Sequence, residues 1–228
     1  MYSNKEPPLT IPSKELLMTN KIICFSLWGD NPKYTMGAIK NARLAQEIYE
    51  GWKCRFYIGN DVSNKIIDQL DSLNCELVHK DDTGWNGMFW RFLGADSENI
   101  FLSRDTDSRL NTREKAAVDE WLKTDKDFHI MRDHPYHQTE ILGGMWGCRN
   151  GILKGITEMI DTYDKKEYDN AYQVDQNFLR QVIYPMIKYN STVHDEFFER
   201  IPFPSNATQR ARSYFVGQVY DENDIPQF

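Results

Sequence analysis

The chain has 228 residues, enough for one domain with a full hydrophobic core. Its 27 Lys and Arg are outweighed by 34 Asp and Glu, and the net charge of -7 argues against a surface that tracks nucleic-acid phosphates or anionic lipid, so neither nucleic acid nor membrane is an expected partner. Cys24, Cys54, Cys75 and Cys148 are scattered through apolar stretches and read as buried thiols in a reducing compartment, and no apolar run approaches a signal peptide or a bilayer span, which together predict a soluble, cytoplasmic protein.

Residues 1–20 are polar and carry Pro7, Pro8 and Pro12; they read as an amino-terminal extension to a single domain over 21–228. Residues 21–28 form an apolar run that stops at Gly29-Asp30-Asn31-Pro32, which predicts a buried strand ending in a loop. A helix over 35–50 follows, with Ala38, Ala42, Ala45 and Tyr49 at helical spacing. Residues 54–58 predict a strand, Ile66, Ile67, Leu70 and Leu73 a helix, and 75–78 a third strand. This β-α-β-α-β order implies a largely parallel sheet with right-handed crossovers.

The fourth strand, 100–102, runs into Ser103-Arg104-Asp105-Thr106-Asp107-Ser108-Arg109. Asn111, with Glu114 three residues later, predicts a helix cap ahead of Ala117, Val118, Trp121 and Leu122. Residues 128–131 read as a strand, and Gly143-Gly144-Met145-Trp146-Gly147 as a tight turn entering another. A long helix is predicted over 173–188, bent or ended by Pro185.

Ligands of open α/β sheets bind beyond the carboxyl ends of strands, which is where Asp105-x-Asp107 falls. Two carboxylates one residue apart on an irregular turn suit Mg²⁺ or Mn²⁺, which also bridge the oxygens of a diphosphate. Arg104 and Arg109 are expected to hold these carboxylates in place. Arg91, in an aromatic segment, is placed either against a phosphate or sugar oxygen or in a structural ion pair. Arg132, Asp133 and His134 are candidate sugar-pocket residues, Gly143 and Gly144 would let backbone approach a ligand, and Asp175-Gln176 either reaches the reacting sugar or caps its helix. His134-x-x-His137 has zinc-ligand spacing, but Pro135 and the missing third soft ligand argue against zinc. The end of strand 21–28 places Ser26, Leu27 and Trp28 near a nucleotide base and ribose, with Trp28 as the packing surface.

The stretch Phe101-Leu102-Ser103-Arg104-Asp105-Thr106-Asp107-Ser108-Arg109-Leu110, then His129-Ile130-Met131-Arg132-Asp133-His134-Pro135, then Gly143-Gly144-Met145-Trp146-Gly147, resembles a group of viral and bacterial GT-A glycosyltransferases. Among them is the amino-terminal domain of a chlorella virus protein implicated in decorating a capsid protein. The resemblance implies a single-domain GT-A fold with a mostly parallel sheet, and transfer of a hexose or deoxyhexose from a UDP-sugar such as UDP-glucose or UDP-rhamnose. The implied acceptor is a glycan or glycoprotein such as a viral capsid protein, and the implied location is host cytoplasm. Asp105 and Asp107 would hold Mn²⁺ or Mg²⁺ with Thr106 between them, Arg91 would lie near the donor, and Asp175-Gln176 beside sugar and acceptor. Asp107, Asp133 and Asp175 are the carboxylates expected to serve catalysis. Glycogenin-like relatives use a late histidine as a third metal ligand, and His194 is the late histidine here, although the Gly and Lys-Pro-Trp that follow theirs are absent. Two other readings compete: a catalytically silent nucleotide-sugar or glycan-binding module, and a haloacid-dehalogenase-type phosphatase. The latter wants Thr or Val where this chain has Arg109.

Overall fold

The computed structural model describes residues 20–81, 86–97, 99–149, 151–163 and 173–227; apart from Asn20, the proposed amino-terminal extension lies outside them. The first half follows the predicted order: β1 (Lys21–Leu27), α1 (Pro32–Ile48), β2 (Lys53–Gly59), α2 (Asn64–Ser72) and β3 (Glu76–Lys80). A short helix, α3 (Gly87–Trp90), continues as a 3₁₀ turn over Arg91–Asp96 and leads into β4 (Ile100–Ser103). Then come α4 (Thr112–Trp121), β5 (Phe128–Arg132), β6 (Trp146–Cys148), α5 (Ile156–Thr162), α6 (Val174–Phe178), α7 (Tyr184–Ile187) and β7 (Ser191–Asp195).

All seven strands form one sheet in the order β3-β2-β1-β4-β6-β5-β7. The neighbours β1, β2, β3 and β4 are parallel, as are β5 and β7, while β6 runs antiparallel to both β4 and β5. The reversal at β6 leaves β5 and β7 pointing the same way as β4, so the carboxyl ends of six strands share one edge.

Strand alternation divides the core. Ile22, Cys24, Phe101, Trp146 and Ile130 face α3, α5 and the helical segment carrying Phe178 and Ile183. Ile23, Phe25, Leu27 and Leu102 face α1, α2 and α4, where Ala38, Ala42, Leu70, Val118 and Trp121 meet them. All four cysteines are buried free thiols.

Two boundaries differ from expectation for identifiable reasons. Asn31-Pro32 opens α1 rather than delaying it, because Asn31 Oδ1 accepts from the Lys33 N–H at 3.0 Å and proline at the first helical position forfeits no bond. The long helix before β7 is interrupted: Leu179–Ile183 widens into a π turn immediately ahead of Pro185, which lacks the N–H that Gln181 would need.

Candidate active site

The turn after β4 is fixed from beneath. Asn41, fully buried in α1, donates to the carbonyls of Thr106 at 3.3 Å and Ser108 at 2.9 Å and accepts from the Leu110 N–H at 2.9 Å. A Cβ on Gly37 would lie 2.0 Å from the Thr106 carbonyl oxygen, so the turn crosses α1 at a distance only glycine permits. From above, the Tyr220 N–H donates to the Asp107 carbonyl at 2.8 Å, and Arg109 reaches Asp224 at 2.9 Å and the Asp221 carbonyl at 2.9 Å.

On this platform seven predicted residues meet. Arg91 Nη2 lies 2.8 Å from Asp175 Oδ2, its Nε lies 3.3 Å from Asp105 Oδ1, and its Nη1 is held by the Met88 carbonyl at 2.6 Å. Gln176 Oε1 accepts from the Gly143 N–H at 3.1 Å, and its amide nitrogen donates to the Ile141 carbonyl. A Cβ on Gly144 would fall 2.2 Å from Asp105 Oδ2, so the β5–β6 connection passes against that carboxylate. Asp107 pairs with Lys33 at 2.9 Å.

Arg91 and Asp175 are nearly sealed, with 9 % and 8 % of their side chains exposed, whereas 42 % of the Asp105 side chain remains open. Even so, the surrounding protein lifts the Asp105 carboxyl above its usual range by desolvation; Asp107 and Asp175 push the same way, and Arg91 opposes them. The open surface tempers the desolvation, but two neighbouring carboxylates act in the same direction. Three acidic groups therefore crowd Arg91 and Lys33, leaving excess negative charge at the mouth of the site.

The nucleotide-side residues divide. Trp28 is half-buried and meets Trp90 edge-on at 6.1 Å. Ser26 Oγ accepts from the Arg91 N–H at 2.9 Å, which ties β1 to the arginine. The Leu27 side chain is buried beneath α1, leaving only its backbone to reach a ligand, and Thr106 is likewise buried.

Four further expectations are corrected by where the side chains go. Asp133 is fully buried and accepts from Arg113 Nε at 2.8 Å, from Arg113 Nη2 at 2.9 Å and from the Val216 N–H at 2.9 Å, so it is an internal anchor rather than a sugar contact. Arg132 is spent on Asp195 at 2.8 Å, the Glu140 carbonyl and Glu199. His194 sits on β7, three strands from β4 or roughly 14 Å at normal strand spacing. Its Nδ1 meets His129 Nε2 at 2.8 Å and its Nε2 meets Glu120 at 3.2 Å, so the ring is not brought to Asp105 or Asp107. Burial lowers the affinity of both imidazoles for a proton. Arg104 likewise turns away from the acidic pair to Glu114, at 3.3 Å. His134 stacks on Phe215, and His137 Nδ1 accepts from the Asp133 N–H at 3.0 Å.

Sequence reasoning missed Lys33, Ser103 and the closing segment around Tyr220. Ser103 Oγ donates to the Gly143 carbonyl at 2.6 Å and so fixes the glycine pair. Lys33 had a readable signal: a basic residue in the first turn of the helix that leaves the ligand edge of β1.

Among the described residues no cluster of three or more His, Cys, Asp or Glu side chains is arranged to hold a metal. Asp105 and Asp107, 42 % and 18 % exposed and each paired here with a cationic side chain, are carboxylates of the kind that Mg²⁺ and Mn²⁺ take one or two at a time, with water and substrate phosphate completing the shell.

No family model and no curated protein matches the sequence. Among solved structures, the chain is similar to glucosyl-3-phosphoglycerate synthase from Mycobacterium tuberculosis in complex with UDP, at 11 % identity and a TM-score of 0.50, over 91 % of this chain and 80 % of that one. It is also similar, at 12 % identity and a TM-score of 0.45, to 4-diphosphocytidyl-2C-methyl-D-erythritol synthase from Anaerococcus prevotii, over 82 % of this chain and 93 % of that one. Such identities speak to fold alone. The chain has a GT-A-type α/β fold, with a seven-stranded, mostly parallel sheet flanked by helices.

Proposed function

We propose that the protein is a glycosyltransferase that takes a hexose or deoxyhexose from a UDP-sugar, UDP-glucose or UDP-rhamnose, with Mn²⁺ or Mg²⁺. The observation that carries this reading is the junction of Asp105, Asp107, Asp175 and Arg91 at the carboxyl end of β4, an open acidic mouth over a sealed arginine. The donor-side relative in the structural comparison was crystallised with UDP, which supports the nucleotide. Asp105 and Asp107 would hold the cation, whose charge stabilises a departing nucleoside diphosphate.

The chain's own groups take the remaining roles. The half-buried Trp28 would pack against the base, and Ser26 and Arg91 lock that wall to the acidic turn. Arg91 fixes the position of Asp175 through its 2.8 Å ion pair. Asp175 and Gln176, with the backbone of Gly143 and Gly144, supply closely spaced acceptors and donors for sugar hydroxyls. Asp175 is the carboxylate left to act near an accepting hydroxyl, since Asp133 is engaged elsewhere. The likeness to viral enzymes supports a glycan or glycoprotein acceptor, a viral capsid protein among them.

Calorimetric titration with UDP, with and without Mn²⁺, tests the site. The expected result is UDP binding that strengthens at least tenfold with Mn²⁺, and that gain should shrink about tenfold in Gly144→Ala, whose methyl displaces the Asp105 carboxylate. UDP affinity indifferent to Mn²⁺ in both proteins would refute the assignment.

A further inference from the structure

Beyond the end of β5, on the same edge of the sheet as Asp105, lies a second concavity of about 620 Å³. That volume is in the range of small-molecule sites. Three arginines line it, Arg113, Arg210 and Arg212, together with His134 and Gln209, against a single carboxylate, Glu196. In a chain with a net charge of -7 this is a local reversal of sign.

The charges have unequal commitments. Arg113, at the first turn of the ten-residue α4, forms the buried floor: it holds Asp133 with two bonds, Glu196 at 2.6 Å and the Thr208 carbonyl at 3.0 Å. One Arg113 charge thus faces two carboxylates, Asp133 and Glu196, and the positive charge open at the rim is that of Arg210. The Arg210 guanidinium rests over the Phe197 ring at 4.8 Å, and among the described residues it makes no hydrogen bond or ion pair. A flat guanidinium braced on an aromatic ring with its N–H groups free is preorganised for an anion. Its field reaches both imidazoles beside the pocket: burial first lowers the proton affinity of His134 and His137, and Arg210 adds to the effect.

A run of contacts leads from the pocket floor, where Arg113 holds Asp133, toward the acidic site. Val216 is bonded to Asp133 behind the pocket, a Cβ on the adjacent Gly217 would lie 2.7 Å from the Met145 sulfur, and Met145 follows the Gly144 that abuts Asp105.

We propose that this pocket binds the phosphate group of a phosphorylated acceptor, with Arg210 as the principal contact and Arg113, Arg212 and Gln209 around it. The placement of that phosphate as part of the acceptor rests on the transferase reading; the anion site itself does not. Arginine matches phosphate bidentately, and the Arg210 guanidinium, braced on Phe197 with its N–H groups uncommitted, supplies that fork.

The test follows arginine side-chain Nε–Hε resonances of the full chain during titration with inorganic phosphate, glucose 6-phosphate and glucose at constant ionic strength. Saturable shifts at Arg210, tighter for glucose 6-phosphate than for inorganic phosphate and absent for glucose, are expected. Arg210→Gln should weaken glucose 6-phosphate at least tenfold, and Asp107→Asn should leave it unchanged. Shifts that do not saturate, or that survive Arg210→Gln, would overturn the site; phosphate binding as tightly as glucose 6-phosphate would overturn its assignment to an acceptor. Loss of Mn²⁺-dependent UDP binding with these titrations intact would instead indict the transferase reading.

Discussion

Asp133 shows how one side chain changes meaning when its partners are known. In the sequence it stands between an arginine and a histidine, the composition of a sugar pocket, but in the fold it accepts both arms of Arg113 and the Val216 N–H inside the protein. Removing it leaves a buried guanidinium with only the rim carboxylate Glu196 as counter-charge, and loss of one partner of a buried pair costs about 3–5 kcal/mol. Asp133→Ala should therefore lose stability of that order in urea unfolding, and UDP and UDP-sugar affinities should fall together as the folded fraction falls. A selective loss of UDP-sugar affinity at unchanged stability would restore Asp133 to the sugar pocket. His194 has the same lesson: a late histidine is visible in the sequence, but its engagement with His129 and Glu120 depends on β7 pairing with β5 and α4 crossing beneath, which no local spacing encodes.

Elements were more legible than partners. The apolar runs and the 3.6-residue spacing gave the order through β4, and Asp105-x-Asp107 stands at the strand end where that order places it. Arg91, Asp175, Gln176, Gly143 and Gly144 do converge there, although the convergence needs the antiparallel β6, whose three residues are too short to announce a direction. The Asn111-x-x-Glu114 pattern was half right. Asn111 Oδ1 caps the Glu114 N–H at 2.9 Å, but the Glu114 carboxylate turns inward to Tyr49 at 2.7 Å and Arg104 rather than back to the cap. Asn111→Ala should accordingly lower stability by about 1 kcal/mol, with Asn111→Asp retaining most of it, read from chemical denaturation. An alanine variant as stable as the parent would mean that α4 is held by Trp121 and Val118 alone.

For the whole molecule, acid stability is set partly by buried imidazoles. Burial, with His134 and Arg210 adding and Asp195 opposing, lowers His137 from 6.5 to about 4. The unfolded chain takes up this proton below about 6.5 while the folded one resists until about 4, so the contribution is intact above 6.5 and is lost as pH falls through that window. The difference in unfolding free energy between the parent and His137→Asn should therefore shrink from pH 7 to about pH 4; a difference independent of pH would contradict the assignment. No helix among the described residues is long and apolar enough to cross a membrane. In the proposed function, Asp105 and Asp107 hold the divalent cation on which chemistry at the sugar nucleotide depends. Release of UDP from UDP-glucose and UDP-rhamnose, with water as acceptor, measured against Mn²⁺ concentration, tests it most directly. The account predicts saturable, chelator-sensitive release that falls roughly a hundredfold in Asp107→Asn at unchanged stability; full release in excess chelator, or from Asp107→Asn, would contradict it.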